Sequence, residues 1–282
     1  MPRQPLLAVA AAALAAGTLG ASYGAREMLH RQAAAARHLI GKPLGEHAPY
    51  ADRVWTSSHG GDPLDLLLLG DSIAAGLGAE RRKDTLGGRL SKGLAKKTGR
   101  PVRLRTVAVV GSESSELAAQ LETLEADYAP DLAVIVVGGN DVTHRVPVAE
   151  SVAHLQRAVH ALRTRGAEVV VGTCPDLGAL RPVPQPLRTL GSRASRQLAT
   201  AQAQAAVGAG AHAVSLARVV GPFFISNPDE MFSLDRFHPS ALGYRRTAAA
   251  LLPSLLIALG LHDEVPFGHD SPRASADSRG RG

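Results

Sequence analysis

The sequence predicts an α/β fold around a parallel sheet with helices on both faces. Short apolar runs alternate with segments of helical period, the signature of βαβ units. One run, LAVIVV after Asp131, is unbroken, as in strands buried on both sides. Small and polar residues directly follow these runs, where open parallel sheets bind their ligands.

Leu66 to Leu69 read as the first strand. Thr85 caps a helix that places Leu86, Leu90 and Leu94 on one face and stops at Gly99. Residues 102–110 read as the second strand, followed by a helix with Leu117, Leu121, Leu124 and Tyr128 on one stripe. LAVIVV is the third strand. A helix opening at Pro147 aligns Val148, Val152, Leu155, Val159 and Leu162 and ends at Gly166. Residues 168–171 and 213–216 supply the fourth and fifth strands. The last helix spans residues 240–259, with Tyr244, Ala248, Leu252 and Leu255 inward.

At 282 residues, with 45% hydrophobic and 20% charged content, the chain can bury a full core and is neither wholly disordered nor a polytopic membrane protein. Its one cysteine, Cys174, excludes an intramolecular disulfide and a four-cysteine zinc site. The net charge of +6 suits an anionic partner, but aromatic residues at 4% argue against a stacking platform for nucleic acid.

Residues 5–25 carry no charge and read as a signal peptide or a membrane anchor within a segment 1–25. Arg26, Arg31, Arg37 and Lys42 follow it, and by the positive-inside tendency they oppose simple export. The expected place is the cell envelope, secreted or anchored, with the orientation open. Residues 26–62 read as a linker, 63–261 as the main domain and 262–282 as a disordered tail rich in Ser, Gly, Arg and Asp.

Ser72 follows the first strand in Gly70-Asp71-Ser72. A serine hydroxyl is a poor nucleophile until a neighbouring base takes its proton. His238, ahead of the last helix, can be that base, and Asp235 three residues earlier can hold the ring in the tautomer that leaves Nε2 free to accept. Three donors can meet a developing oxyanion: the backbone N–H of Ser72 and Gly111, and the side-chain amide of Asn140. Singly, each of these is an ordinary turn, cap or tight-turn glycine. Their combination at the strand ends of one chain points to a hydrolase site.

Gly70-Asp71-Ser72-Ile73, Gly111, Gly139-Asn140-Asp141 and Asp235-x-x-His238 resemble the four sequence blocks of the SGNH (GDSL) hydrolase family. DRFHPSALGY is similar to the family's final block beyond the two site positions. The resemblance spans residues 64–259. It implies a three-layer α/β/α sandwich with a five-stranded parallel sheet of flavodoxin-like type, and metal-free, cofactor-free hydrolysis of carboxylic esters or thioesters. It makes Ser72 the nucleophile, His238 the base, Asp235 its orienting acid, and Ser72, Gly111 and Asn140 the oxyanion donors. Ile73 replaces the eponymous Leu, and Arg236 stands where the block often has Gly; neither is a reacting group.

Among other residues, Asp176 is a rival orienting carboxylate, and Asp71 fixes the turn. His144 is a loop histidine near the pocket, Cys174 a small buried residue, and residues 181–196 a Pro/Arg-rich loop, either a lid or plain surface. The partner is a small-molecule or lipid ester, with membrane association through the N-terminal segment and an open oligomeric state. Two competing readings are a catalytically silent, membrane-tethered module that binds an anionic polymer or lipid, and a glycan O-deacetylase.

Overall fold

The computed structural model describes residues 4–40, 45, 47–56 and 60–272, with the backbone alone for 4–21. The chain opens with α1 (Gln4–Ile40) and an edge strand β1 (Val54–Trp55). It then runs β2 (Leu64–Gly70), α2 (Ser72–Ala75), α3 (Leu86–Thr98), β3 (Val102–Thr106), α4 (Leu117–Glu122), β4 (Leu132–Val136), α5 (Gly139–His144), α6 (Val148–Thr164), β5 (Glu168–Gly172) and α7 (Leu187–Gly208). It closes with β6 (His212–Val214), α8 (Leu216–Val219), α9 (Gly221–Ser226), α10 (Pro228–Met231), α11 (Ala241–Ala258) and β7 (His269–Asp270).

The strands lie in the order β1-β3-β2-β4-β5-β6-β7. β3, β2, β4, β5 and β6 are mutually parallel. Counted along the chain, that inner order is 2-1-3-4-5, the flavodoxin-like arrangement, with its switch point between β2 and β4. The predicted five parallel strands are therefore present. Two short antiparallel strands, β1 and β7, extend the sheet to seven.

Alternation along β2 divides the core. Leu66 and Leu68 pack with Leu86, Leu90 and Leu94 of α3 and with Tyr244, Leu251 and Leu255 of α11. Leu67 and Leu69 face the other layer, with Leu117 of α4 and Leu155, Val159 and Leu162 of α6. Each of these four leucines is fully buried, and each contributes about 1.5–3 kcal/mol of burial free energy. This fixes the strand whose end carries Ser72.

Several sequence expectations need correction. α1 continues to Ile40, so the stretch read as linker from residue 26 begins as helix; its alanines favour helix, and Glu27 and Arg31 pair across one turn. Residues 41–44, 46 and 57–59 of that stretch lie outside the described residues, as do residues 1–3 and the side chains of 4–21 on which the signal or anchor reading rests. Among the described residues, no helix is long and apolar enough to cross a membrane.

β3 ends at Thr106 rather than residue 110, because the chain curls toward Gly111, which has a φ of 90°. α4 ends at Glu122, leaving Leu124 and Tyr128 in turns. Residues 181–196 are a loop only to Pro186, the cap of α7; prolines and arginines obscured the helical period beyond it. The fifth strand is His212–Val214, since Leu216 already begins α8. The tail is ordered at its start: β7 pairs with β6, and buried His269 Nδ1 lies in hydrogen-bond contact with Ser254 Oγ at 2.8 Å. Main-chain pairing on an open edge depends little on composition, which is why a polar tail concealed it. Residues 273–282 lie outside the described residues.

Candidate active site

Gly70 and Val136 are register partners at the ends of β2 and β4, so the chain leaves both strands side by side at the switch point. Gly70 has a φ of 125°, and a Cβ there would stand 1.9 Å from the Val136 carbonyl oxygen. Only glycine allows this approach. Ser72 then begins α2, with Asp71 as its cap: Asp71 Oδ1 accepts from the Ile73 N–H at 2.9 Å.

His238 and Asp235 sit on the loop between α10 and α11. The loop folds back on itself, with Phe232 bridged to Pro239 and the Ser233 N–H donating to the His238 carbonyl at 2.8 Å. Asp235 Oδ1 accepts from Ser233 Oγ and from the N–H groups of Phe237 and His238. Arg236, where the resembled family block often has Gly, takes a left-handed φ of 56° to make this turn, at a cost on the order of 1 kcal/mol. Gly78 makes room for the loop, since a Cβ there would stand 2.5 Å from the Pro239 carbonyl oxygen and 2.9 Å from His238 Cβ.

The two loops meet. His238 Nε2 lies 2.9 Å from Ser72 Oγ, and His238 Nδ1 lies 2.5 Å from Asp235 Oδ2. An ionised carboxylate only accepts, so Nδ1 carries the proton and Nε2 is free to accept from the serine hydroxyl. Burial alone would raise the Asp235 carboxyl, but hydrogen bonds from the His238 ring and from the His238 and Phe237 N–H groups outweigh it and hold the carboxyl at about 2.

Gly111 and Asn140 line the same cavity as Ser72, Asp235 and His238. Among the described residues the backbone N–H groups of Ser72 and Gly111 have no hydrogen-bond partner, while Asn140 Nδ2 donates one hydrogen to the Ser112 carbonyl at 2.9 Å. That bond aims the amide and leaves its second hydrogen available.

Polar clamps hold these strand ends, and two of them, Gln120 and Gln202, escaped the sequence reading. Gln120 brackets Gly70, accepting from its N–H at 2.9 Å and donating to its carbonyl at 2.8 Å, and also reaches Ser112 Oγ. Asp141 accepts from the Ser114 N–H and from Ser151 Oγ, tying the Gly111 loop to α5 and α6. Gln202 spans the Val137 carbonyl and the Cys174 N–H. Lone polar residues on helix faces have no spacing signature; only the convergence reveals them.

Of the weaker expectations, Asp176 does not reach His238: it caps the turn at Leu177 and pairs with Arg196. His144 ends α5, its Nδ1 2.6 Å from Glu113. Cys174 is fully buried, and burial pushes its thiol well above the usual range. Among the described residues, no three His, Cys, Asp or Glu side chains gather as a metal site.

Asp71 is buried behind the serine, and desolvation raises its carboxyl to about 7 against the lowering effect of its bond from Ile73. The folded protein thus holds a proton that the unfolded chain releases near 3.8, so this group's contribution is full below that value and is lost as pH rises through about 7. Asp71→Asn keeps an oxygen for the cap and removes the charge. Relative to the wild type, its Tm should gain more at pH 8 than at pH 5; an equal difference at both would show that Asp71 does not titrate in this window.

Two cavities open at Ser72. A narrow one of ≈ 80 Å³ has apolar walls that include Ile73, Leu180, Phe224 and Phe232. A wider one of ≈ 770 Å³ runs along Gly111, Gly45 and residues 47–52. A serine, an imidazole and a carboxylate in hydrogen-bonded sequence, beside unpaired N–H donors and an apolar slot at a doubly wound sheet's switch point, are the groups that acyl-transfer chemistry uses.

Comparisons with known proteins identify the family. Residues 68–246 match the model of the GDSL-like lipase/acylhydrolase family. A GDSL-like esterase of Mycobacterium tuberculosis is 39% identical, over 96% of this chain and 89% of that one. In solved structures, TesA is similar at a TM-score of 0.56 and 24% identity, covering 69% of this chain and 99% of its own. An SGNH hydrolase of Slackia heliotrinireducens is similar at 0.51 and 26%, covering 69% and 100%. The chain belongs to the GDSL-like lipase/acylhydrolase family and is an enzyme of the esterase and lipase class.

Proposed function

We propose that the protein hydrolyses carboxylic esters through an acyl-enzyme on Ser72, with His238 as base, Asp235 as its orienting acid, and Ser72 N–H, Gly111 N–H and Asn140 Nδ2 as oxyanion donors. The observation that carries this reading is the 2.9 Å contact between Ser72 Oγ and His238 Nε2, with Asp235 on the far side of the ring.

Ser72 Oγ attacks the acyl carbonyl as its proton moves to His238 Nε2. The carbonyl oxygen becomes an oxyanion facing the three donors, which are already in place and need no reorganisation. Asp235, held as a carboxylate, stabilises the imidazolium. The intermediate collapses, the C–O bond to the alcohol breaks, and the alcohol leaves with the proton from His238. Water then repeats the sequence on the acyl-enzyme, releasing the acid and restoring Ser72.

With p-nitrophenyl acetate the reading calls for a rapid burst of p-nitrophenol equivalent to the enzyme present, followed by slower turnover. Turnover without an acyl-enzyme, or no turnover at all as for a silent binding module, contradicts it. Asn140→Ala should lower kcat by about 10²–10³; an unchanged kcat would remove its amide from the oxyanion site. The uncharged residues 5–25 further support action at the cell envelope. Recovery of the protein in the cytosolic fraction alone would contradict that placement.

A further inference from the structure

α1 presents one face to the body of the protein. Leu29, Ala33, Ala36 and Ile40, spaced at three to four residues, line a cavity of ≈ 910 Å³ between α1 and the start of α7. The helix is docked there by Gln32, which donates to the Gln185 carbonyl at 2.6 Å and accepts from the Leu187 N–H at 3.2 Å. Across the cavity stand Leu177, Leu180, Val183, Leu187 and Leu190. Leu190 is exposed beside this groove and Leu180 is buried at its inner end.

The groove is continuous with the site. Leu177 and Leu180 also line the narrow slot beside Ser72, and Phe237 lines the slot, the wide cavity and the groove alike. The Phe237 ring meets that of His238 edge to face, with centroids 4.8 Å apart. Phe237 is the residue common to all three cavities and stands between Ser72 and the groove beside Leu177 and Leu180. The outer wall is supplied by α1, which lies outside the family match at residues 68–246.

We propose that α1 is a specificity element: the groove it roofs holds a hydrocarbon chain of the ester substrate, which enters past Phe237 when the ester carbonyl is at Ser72. This rests on the reading of Ser72 as nucleophile. The shared chemistry is a long alkyl chain, whether it belongs to the acid or to the alcohol of the ester. Apolar side chains on both sides, though Arg26, Arg37, Arg145 and Arg188 also line the cavity, a size within the range of about 300–1,000 Å³ typical of ligand pockets, and a shared residue with the site favour such an occupant over a protein partner.

The full-length protein and two variants test it. Gly191→Phe fills the groove from α7, where an added Cβ meets nothing closer than Leu177 Cβ at 3.8 Å and the helix gains a better former than glycine. Ala33→Phe fills it from α1. kcat/KM is measured for p-nitrophenyl laurate against p-nitrophenyl acetate, lengthening the acid, and for dodecyl acetate against ethyl acetate, lengthening the alcohol. The wild type should prefer the long chain in one pair, which identifies the side. Both variants should lower that long-to-short ratio by about tenfold or more. Short-chain preference in both pairs, or a ratio unaltered by both variants while p-nitrophenyl acetate is still cleaved, overturns the groove and leaves Ser72 untouched. If the wild type cleaves none of the four esters, both readings fall.

Discussion

Ser72→Ala should reduce ester turnover by on the order of 10⁶ in kcat while leaving the protein folded. The hydroxyl occupies the first turn of α2, whose position is set by Gly70, by the Asp71 cap and by the Gln120 clamp, none of which involves Ser72 Oγ. Removing the oxygen takes away the nucleophile and one hydrogen bond. His238→Ala should cost a similar factor, because the serine then has no acceptor for its proton. The double variant should be no worse than either single one, since the two groups act as one unit. Circular dichroism and thermal unfolding check that the fold survives, and steady-state kinetics on p-nitrophenyl acetate reads the loss. Substantial turnover in either variant would place the chemistry elsewhere.

Asp235→Asn should lower kcat by about 10⁴. Asn cannot accept from Nδ1–H through its NH₂ group. If that group faces the ring, the imidazole must accept at Nδ1, and its proton moves to Nε2, where it points at Ser72 rather than receiving from it. Asp235 Oδ1 also accepts from Ser233 and from two backbone N–H groups, so an amide oxygen kept on that side preserves the loop and puts NH₂ toward the ring. The same bonds hold the carboxyl at about 2, so it stays ionised through the neutral and mildly acid range. Loss of activity on mild acidification therefore does not come from Asp235. A kcat for Asp235→Asn within about tenfold of the wild type would show that the ring is oriented by something else.

The sheet was legible because strands buried on both faces leave continuous apolar runs: Leu66 to Leu69 and LAVIVV are legible without any partner. The residues gathered at the switch point were legible because chemistry in such folds follows the strand ends, and Ser72, Gly111, Asn140, Asp235 and His238 all line one cavity. Edge strands β1 and β7, two residues each, are too short to carry a period. Gln120 and Gln202 read as ordinary polar residues until separate segments converge on them. α1 as a wall was hidden for another reason: its inward face alternates Leu and Ile with Ala in an Ala-rich run, so the stripe has little contrast against the rest of the helix.

A fluorophosphonate, which reacts only with an activated serine, tests the pairing of Ser72 with His238 most directly. Intact-mass analysis and peptide mapping of the treated protein should find one adduct per chain, on Ser72, and none when residue 238 is alanine. An unmodified protein, or an adduct on any other serine, would contradict the assignment.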